Sequence, residues 1–120
     1  MGFITAIDHV QLAIPPGAEA QARQFWVELM GFDALETPLP LAARANRWFG
    51  SGAVRLHVGA DEDFHPARKA HPALVVSGLD ELVHRLERAG TVVRWAEDIG
   101  GVRRCHTSDP FGNRIELIEA

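Results

Sequence analysis

The chain has 120 residues, 12 Lys+Arg against 16 Asp+Glu and a formal net charge of −4, a size suited to one domain and a balance that argues against a basic nucleic-acid module. Hydrophobic residues at 47% and charged residues at 23% match a globular chain and exclude a disordered one. The single cysteine, Cys105, has no partner for an internal disulfide, Met1 to Ile14 lacks a basic start and a cleavage pattern, and no apolar run reaches the roughly 20 residues a membrane span needs. The expectation is a cytoplasmic protein that touches neither membrane nor nucleic acid.

The chain opens with a strand over 7–14, in which Val10, Leu12 and Ile14 alternate with His9, Gln11 and Ala13, the period of a half-buried strand. Pro15-Pro16-Gly17 ends it. Ala18, Ala22, Phe25, Trp26, Leu29 and Met30 then recur at helical spacing up to Gly31, a natural stop. Short strands follow over 33–36, 45–49 and 53–58, and the polar stretch 60–70, with Pro66, reads as a linker. The plan then repeats. A strand over 71–76 leads through Ser77-Gly78 to a helix with Leu79, Leu82, Val83, Leu86 and Ala89 on one face. Asp80 and Glu81 sit in its first turn and Arg85 and Arg88 near its end, the charge order that suits the helix dipole. Strands over 91–96, 102–107 and 113–118 complete the second half.

The halves also share local patterns. His9-Val-Gln-Leu-Ala-Ile14 parallels His71-Pro-Ala-Leu-Val-Val76, and Arg55-Leu-His-Val58 parallels Arg114-Ile-Glu-Leu117, in the same order. This is an α+β chain of two strand–helix–strand–strand–strand modules, about 4–59 and 71–119, within one domain over 1–120. Successive strand side chains point to opposite faces. On the strands that open and close each half, one face is apolar (Leu12, Leu56, Leu74, Leu117) and the other carries His9, His57, His71 and Glu116 in turn. Taken singly, each of the four is an ordinary strand side chain. Their shared face and repeat positions set them apart, because imidazoles and a carboxylate together suit a divalent ion such as Zn, Ni, Mn, Fe or Co.

These residues also carry a resemblance. Through Asp8-His-Val-Gln-Leu-Ala-Ile14, Phe25-Trp-Val-Glu-Leu-Met-Gly-Phe32, His71-Pro-Ala-Leu-Val-Val76 and Asp109-Pro-Phe-Gly-Asn-Arg-Ile-Glu-Leu117, the chain is identified as a member of the vicinal oxygen chelate superfamily. That group includes glyoxalase I, bleomycin- and fosfomycin-resistance proteins, methylmalonyl-CoA epimerase and extradiol dioxygenases. The resemblance implies paired βαβββ modules whose curved mixed sheets surround a cavity, and a homodimer, with each site either within one chain or shared between two. By position His9 and His71 match the opening-strand ligands, Glu116 matches the final-strand ligand, and His57 falls where glyoxalase I has a glutamate. Glu116 is also the implied catalytic carboxylate. The implied activity is metal-assisted proton transfer on a small oxygenated substrate, of lyase or isomerase type. A non-catalytic small-molecule or antibiotic binder of the bleomycin-resistance kind is the alternative, and a dioxygenase is a further one.

The chain departs from the pattern at Ala13, where bacterial glyoxalase I has an arginine for glutathione, and at Gln11, where fosfomycin enzymes have a threonine. Gln11, Arg55, Trp48 and Phe111 are the candidate substrate contacts. Arg55 leads the group Arg44, Arg47, Arg68, Lys69, Arg103 and Arg104 as a partner for an acidic substrate group, because it shares a strand face with His57. His65, His84 and His106 are assigned no role, and Cys105 is read as a packed core residue.

Overall fold

The computed structural model describes residues 2–37 and 46–120. The first module runs β1 (Val10–Ile14), α1 (Glu19–Arg23), β2 (Asp33–Leu35), β3 (Asn46–Ser51) and β4 (Val54–Ala60). The second runs β5 (Ala73–Val76), α2 (Leu79–Arg88), β6 (Arg94–Trp95), β7 (Arg104–Ser108) and β8 (Arg114–Glu119). Each module forms its own four-stranded mixed sheet, ordered β1-β4-β3-β2 and β5-β8-β7-β6. In each, the opening and closing strands pair in parallel and the remaining pairs are antiparallel. The two βαβββ modules are therefore as expected, but each sheet stays open instead of closing around a cavity within one chain.

Several boundaries move for identifiable reasons. The expected strand over 71–76 begins pairing only at Ala73. The Pro72 carbonyl accepts from the Glu116 N–H at 3.0 Å, but proline has no N–H with which to extend the ladder. His9 and His71 thus sit at the mouths of their strands, just before the first paired residues. The strand expected over 91–96 shortens to Arg94–Trp95. The helix expected over 18–30 changes pitch midway: after Arg23 it continues as a π-helical segment, Gln24–Leu29, with the Met30 N–H donating to the Phe25 carbonyl at 3.0 Å. Both Phe25 and Trp26 are buried there, and Trp26 meets Phe25 and Phe32 edge to face. Gly78, before α2, has φ +80°, a conformation in which a Cβ would be strained.

One hydrophobic cluster joins the modules. Ile14, Trp26, Phe49, Leu56 and Val58 from the first pack with Leu79, Leu86, Cys105, Ile115 and Leu117 from the second, all fully buried. A polar strut adds to it: Asn113 Nδ2 donates to the Ala13 carbonyl at 2.8 Å. With the apolar faces spent on this core, the opposite faces, which carry the histidines and Glu116, stay open. No helix among the described residues is long and apolar enough to cross a membrane.

Candidate metal centre

Glu116 lies in the middle of β8, paired with Ala73 of β5 on one side and His106 of β7 on the other. It is only 8% exposed. Its Oε1 lies 2.9 Å from His71 Nε2, and its Oε2 accepts from Arg104 Nη1 at 2.7 Å. His106 Nε2 stands 3.6 Å from Oε1. Hydrogen bonding from His71, then from Arg104, holds the Glu116 carboxyl below the usual carboxylate range. Burial, followed by the Arg114 charge, pushes the His106 imidazole down, against an upward pull from Glu116.

The other nitrogen of His71 decides what this cluster can hold. His71 Nδ1 lies 2.7 Å from the Lys69 carbonyl; a carbonyl only accepts, so Nδ1 carries the hydrogen. In the neutral ring the Nε2 lone pair then faces a carboxylate oxygen; the contact is favourable when a cation lies between them, either a proton, which makes an imidazolium–carboxylate pair, or a metal ion. Anchoring one imidazole nitrogen on a backbone carbonyl while the other faces the site is a standard arrangement around metal-ligating histidines. His71, His106 and Glu116 each offer a ligand atom within 4.8 Å of the others. Two imidazoles and a carboxylate are the donor set of a borderline divalent ion, so these residues fit a metal.

The first module repeats the arrangement with different chemistry. His57 on β4 pairs with Gln11 of β1 and Trp48 of β3, as Glu116 pairs with Ala73 and His106. His9 stands two residues before Gln11, as His71 stands two before Ala73. Asn46 occupies the place of Arg104: His57 Nε2–H donates to Asn46 Oδ1 at 2.6 Å. Trp48 occupies the place of His106 and stacks on His57, with ring centroids 4.5 Å apart and an interplanar angle of 4°. His57 Nδ1 is buried without a hydrogen-bond partner among the described residues. Burial first, and then His9, lowers the His57 pKa. His9 Nδ1 donates to Asp8 Oδ2 at 2.8 Å, and its ring lies 6.0 Å from that of His57.

The four expected ligands therefore form two pairs, His9 with His57 on one sheet and His71 with Glu116 on the other. Among the described residues, the cluster of ligand atoms contains His71, His106 and Glu116 and includes neither His9 nor His57. His106, assigned no role from the sequence, belongs to that cluster; the signal for it was its position on the Arg104, His106, Ser108 face of β7, in the place Trp48 takes in the first repeat. Of the candidate substrate contacts, Trp48 stacks on His57, Gln11 is the cross-strand neighbour of His57, and Arg55 is exposed on the same strand. Phe111 instead packs on the core and lies edge-on to Phe64, with ring centroids 6.5 Å apart. Arg44 lies outside the described residues.

Paired βαβββ modules carrying His and Glu on their open faces define a protein of the vicinal oxygen chelate superfamily. More particularly, the chain belongs to the glyoxalase-like domain family, whose model matches residues 12–118. It is similar to a glyoxalase family protein from Bacillus anthracis, with 40% identity, a TM-score of 0.93, and coverage of 99% of this chain and 98% of that one. A glyoxalase family protein from Enterococcus faecalis is 21% identical with a TM-score of 0.73, covering 98% of this chain and 100% of that one. The fosfomycin resistance protein FosX from Listeria monocytogenes shares the fold at 13% identity and a TM-score of 0.78, covering 98% of this chain and 95% of that one. No curated protein matches the chain.

Proposed function

We propose that this chain is a metal-dependent glyoxalase-like enzyme of lyase or isomerase type, acting on a small substrate with neighbouring oxygens. The observation that carries the reading is the His71–Glu116 contact of 2.9 Å with His106 beside it. His71, His106 and Glu116 would hold the ion, with His9 and His57 of a second copy of the chain completing the set in a homodimer. Two open half-sites with equivalent positions favour that pairing, as does Val75, 71% exposed on the open side of β5. A divalent ion supplies Lewis-acid polarisation of the substrate oxygens.

This chain's own groups do the rest. Glu116, the labile member of that set, has its pKa held below the usual carboxylate range and takes the proton from the carbon beside the carbonyl, then returns it to the neighbouring position, as a carboxylate general base does. Arg104 fixes the orientation of that carboxylate through Oε2. Trp48 and Gln11 line the approach on the first module's side.

Elemental analysis of the purified protein, followed by assay with hemithioacetals of several small thiols, tests the reading. About one transition-metal ion per site, lost in His71→Ala, together with turnover that disappears in Glu116→Gln, is the expected result. A metal-free protein whose thermal stability ignores added metal ions overturns it in favour of a small-molecule binder.

A further inference from the structure

The open face of the second sheet carries more positive charge than the candidate metal centre uses. Arg94 pairs directly with His106 across β6 and β7, so the two side chains share a face. Arg114 lies two residues before Glu116 on β8, again on that face, and pairs with Ser108. Arg104 is already neutralised by Glu116 at 2.7 Å. Arg94 and Arg114, by contrast, have no carboxylate and no hydrogen-bond acceptor among the described residues.

With strands ~4.8 Å apart and a rise of ~3.4 Å per residue, the register puts their Cα atoms roughly 12 Å apart, on either side of His106. Two extended guanidinium groups can close over a small anion in that gap. Both arginines, with His106 and Ser108, line a groove of about 1070 Å³. Arg68 from the linker joins them, and Glu28 is the exposed carboxylate on its walls. Asp109 also lines it but is buried and accepts from Asn113 and Phe111. A concentration of arginine in a chain of net charge −4 runs against its overall sign, and unpaired guanidinium forks match oxyanion geometry.

We propose that Arg94 and Arg114 clamp the oxyanion of a small acidic substrate, a carboxylate or phosphoryl group, over His106 and beside the His71–Glu116 pair. This rests on the functional reading above for its metal side, but the clamp belongs to the arginines alone. It makes the substrate an oxyacid whose charged end docks on the second sheet while its neighbouring oxygens face the histidines.

The test is calorimetric titration of inorganic phosphate and of oxalate into the full chain, treated with chelator in one arm and loaded with zinc in the other. In the chelated arm at least one oxyanion binds, and Arg94→Gln and Arg114→Gln each weaken it about tenfold, which is ~1.4 kcal/mol. Arg23→Gln, at an exposed position that does not line the groove, leaves binding unchanged. Preference for phosphate assigns a phosphoryl substrate, and preference for oxalate a carboxylate. Arg94→Lys and Arg114→Lys keep the charge and much of the affinity, and they carry the test should a glutamine variant fail to fold. No oxyanion binding to the wild type, or equal binding in the glutamine variants, overturns the clamp. Zinc content is read separately: arginine-dependent binding without zinc uptake sinks the metal reading alone, and zinc uptake without arginine-dependent binding sinks the clamp alone.

Discussion

His71 Nε2 and Glu116 Oε1 stand 2.9 Å apart, brought together from 45 residues away in sequence. The Lys69 carbonyl takes the hydrogen of the other ring nitrogen, so in the neutral ring two acceptors face each other and a proton or a metal ion between them makes the contact favourable. The parallel pairing of β5 and β8 creates this contact, and Pro72 places it where the ladder begins. The same pairing of β1 and β4 sets His9 against His57, so one backbone device is used twice with different side chains.

Metal binding should therefore stabilise the native chain through these atoms. Added zinc at 100 times its dissociation constant raises stability by ~2.7 kcal/mol, read as an upward shift in Tm. His71→Gln loses most of that shift while its Tm without metal stays near the wild-type value. An undiminished zinc shift in that variant would remove His71 from the ligand set.

Arg104 is the support of Glu116. Arg104→Gln leaves a nearly buried carboxylate short of its 2.7 Å partner, at a cost of ~1.5–3 kcal/mol for a lost charge-assisted bond. The pH dependence carries a sign. The folded-state pKa of Glu116 is lowered, so its contribution is present above the ordinary carboxylate range and is lost as pH falls through the folded value. Tm measured against pH should show the variant losing stability at a higher pH than the wild type. Coincident acid limbs would show that Arg104 does not support the carboxylate.

Much of the fold was legible because hydrophobic period and repeat agreed. The alternation in Val10, Leu12 and Ile14 predicted which face is buried, and Ile14 is 0% exposed. Strand phase likewise put His57 and Glu116 on the open faces. Three things were not legible. The π-helical turn over Gln24–Leu29 depends on tertiary packing of Phe25 and Trp26, which helical spacing alone does not encode. His106 needed the β7–β8 register, because only pairing shows that it stands opposite Glu116. Phe111 looked available for ligand because aromatic residues serve pockets and cores equally well, and the packing around Phe64 decided for the core.

Gly59 offers a probe of the first half-site. A Cβ there would lie 2.8 Å from Asn46 Oδ1 and 2.9 Å from Gln11 Nε2. Both are side-chain ends that can move, so Gly59→Ala should fold with a loss of ~1 kcal/mol or less. The displaced Asn46 oxygen then releases His57 Nε2. Imidazole NMR signals of His57 should shift in the variant while those of His106 stay in place; unmoved His57 signals would show that Asn46 keeps its hold.

The shared core predicts how the two modules unfold. Leu86 of α2 is 0% exposed and belongs to the same cluster as Phe49 and Leu56 of the first sheet. Leu86→Ala should cost ~2–5 kcal/mol. In a Trp95→Phe background, which leaves Trp26 and Trp48 of the first module as the fluorophores, fluorescence and circular dichroism of the whole chain should report the same lowered transition. Two separate transitions would mean that the modules hold together independently.

Asp109 ties the last turn of the second module back to the first. Its Oδ1 accepts from the N–H groups of Phe111 at 3.0 Å and Asn113 at 2.8 Å, and its Oδ2 accepts from Asn113 Nδ2 at 2.8 Å. The same Asn113 amide donates to the Ala13 carbonyl of β1. In Asp109→Asn the new amide keeps one acceptor oxygen but turns a donor toward the Asn113 donor, so the variant loses ~1–3 kcal/mol. Burial raises the Asp109 pKa despite these bonds. Its contribution is therefore full below the unfolded pKa and is lost as pH rises through the folded one. The stability gap between wild type and Asp109→Asn should be widest in acid and narrow toward neutral pH, measured by urea unfolding across that range. A gap that widens instead would mean that the three hydrogen bonds to the ionised carboxylate outweigh its desolvation.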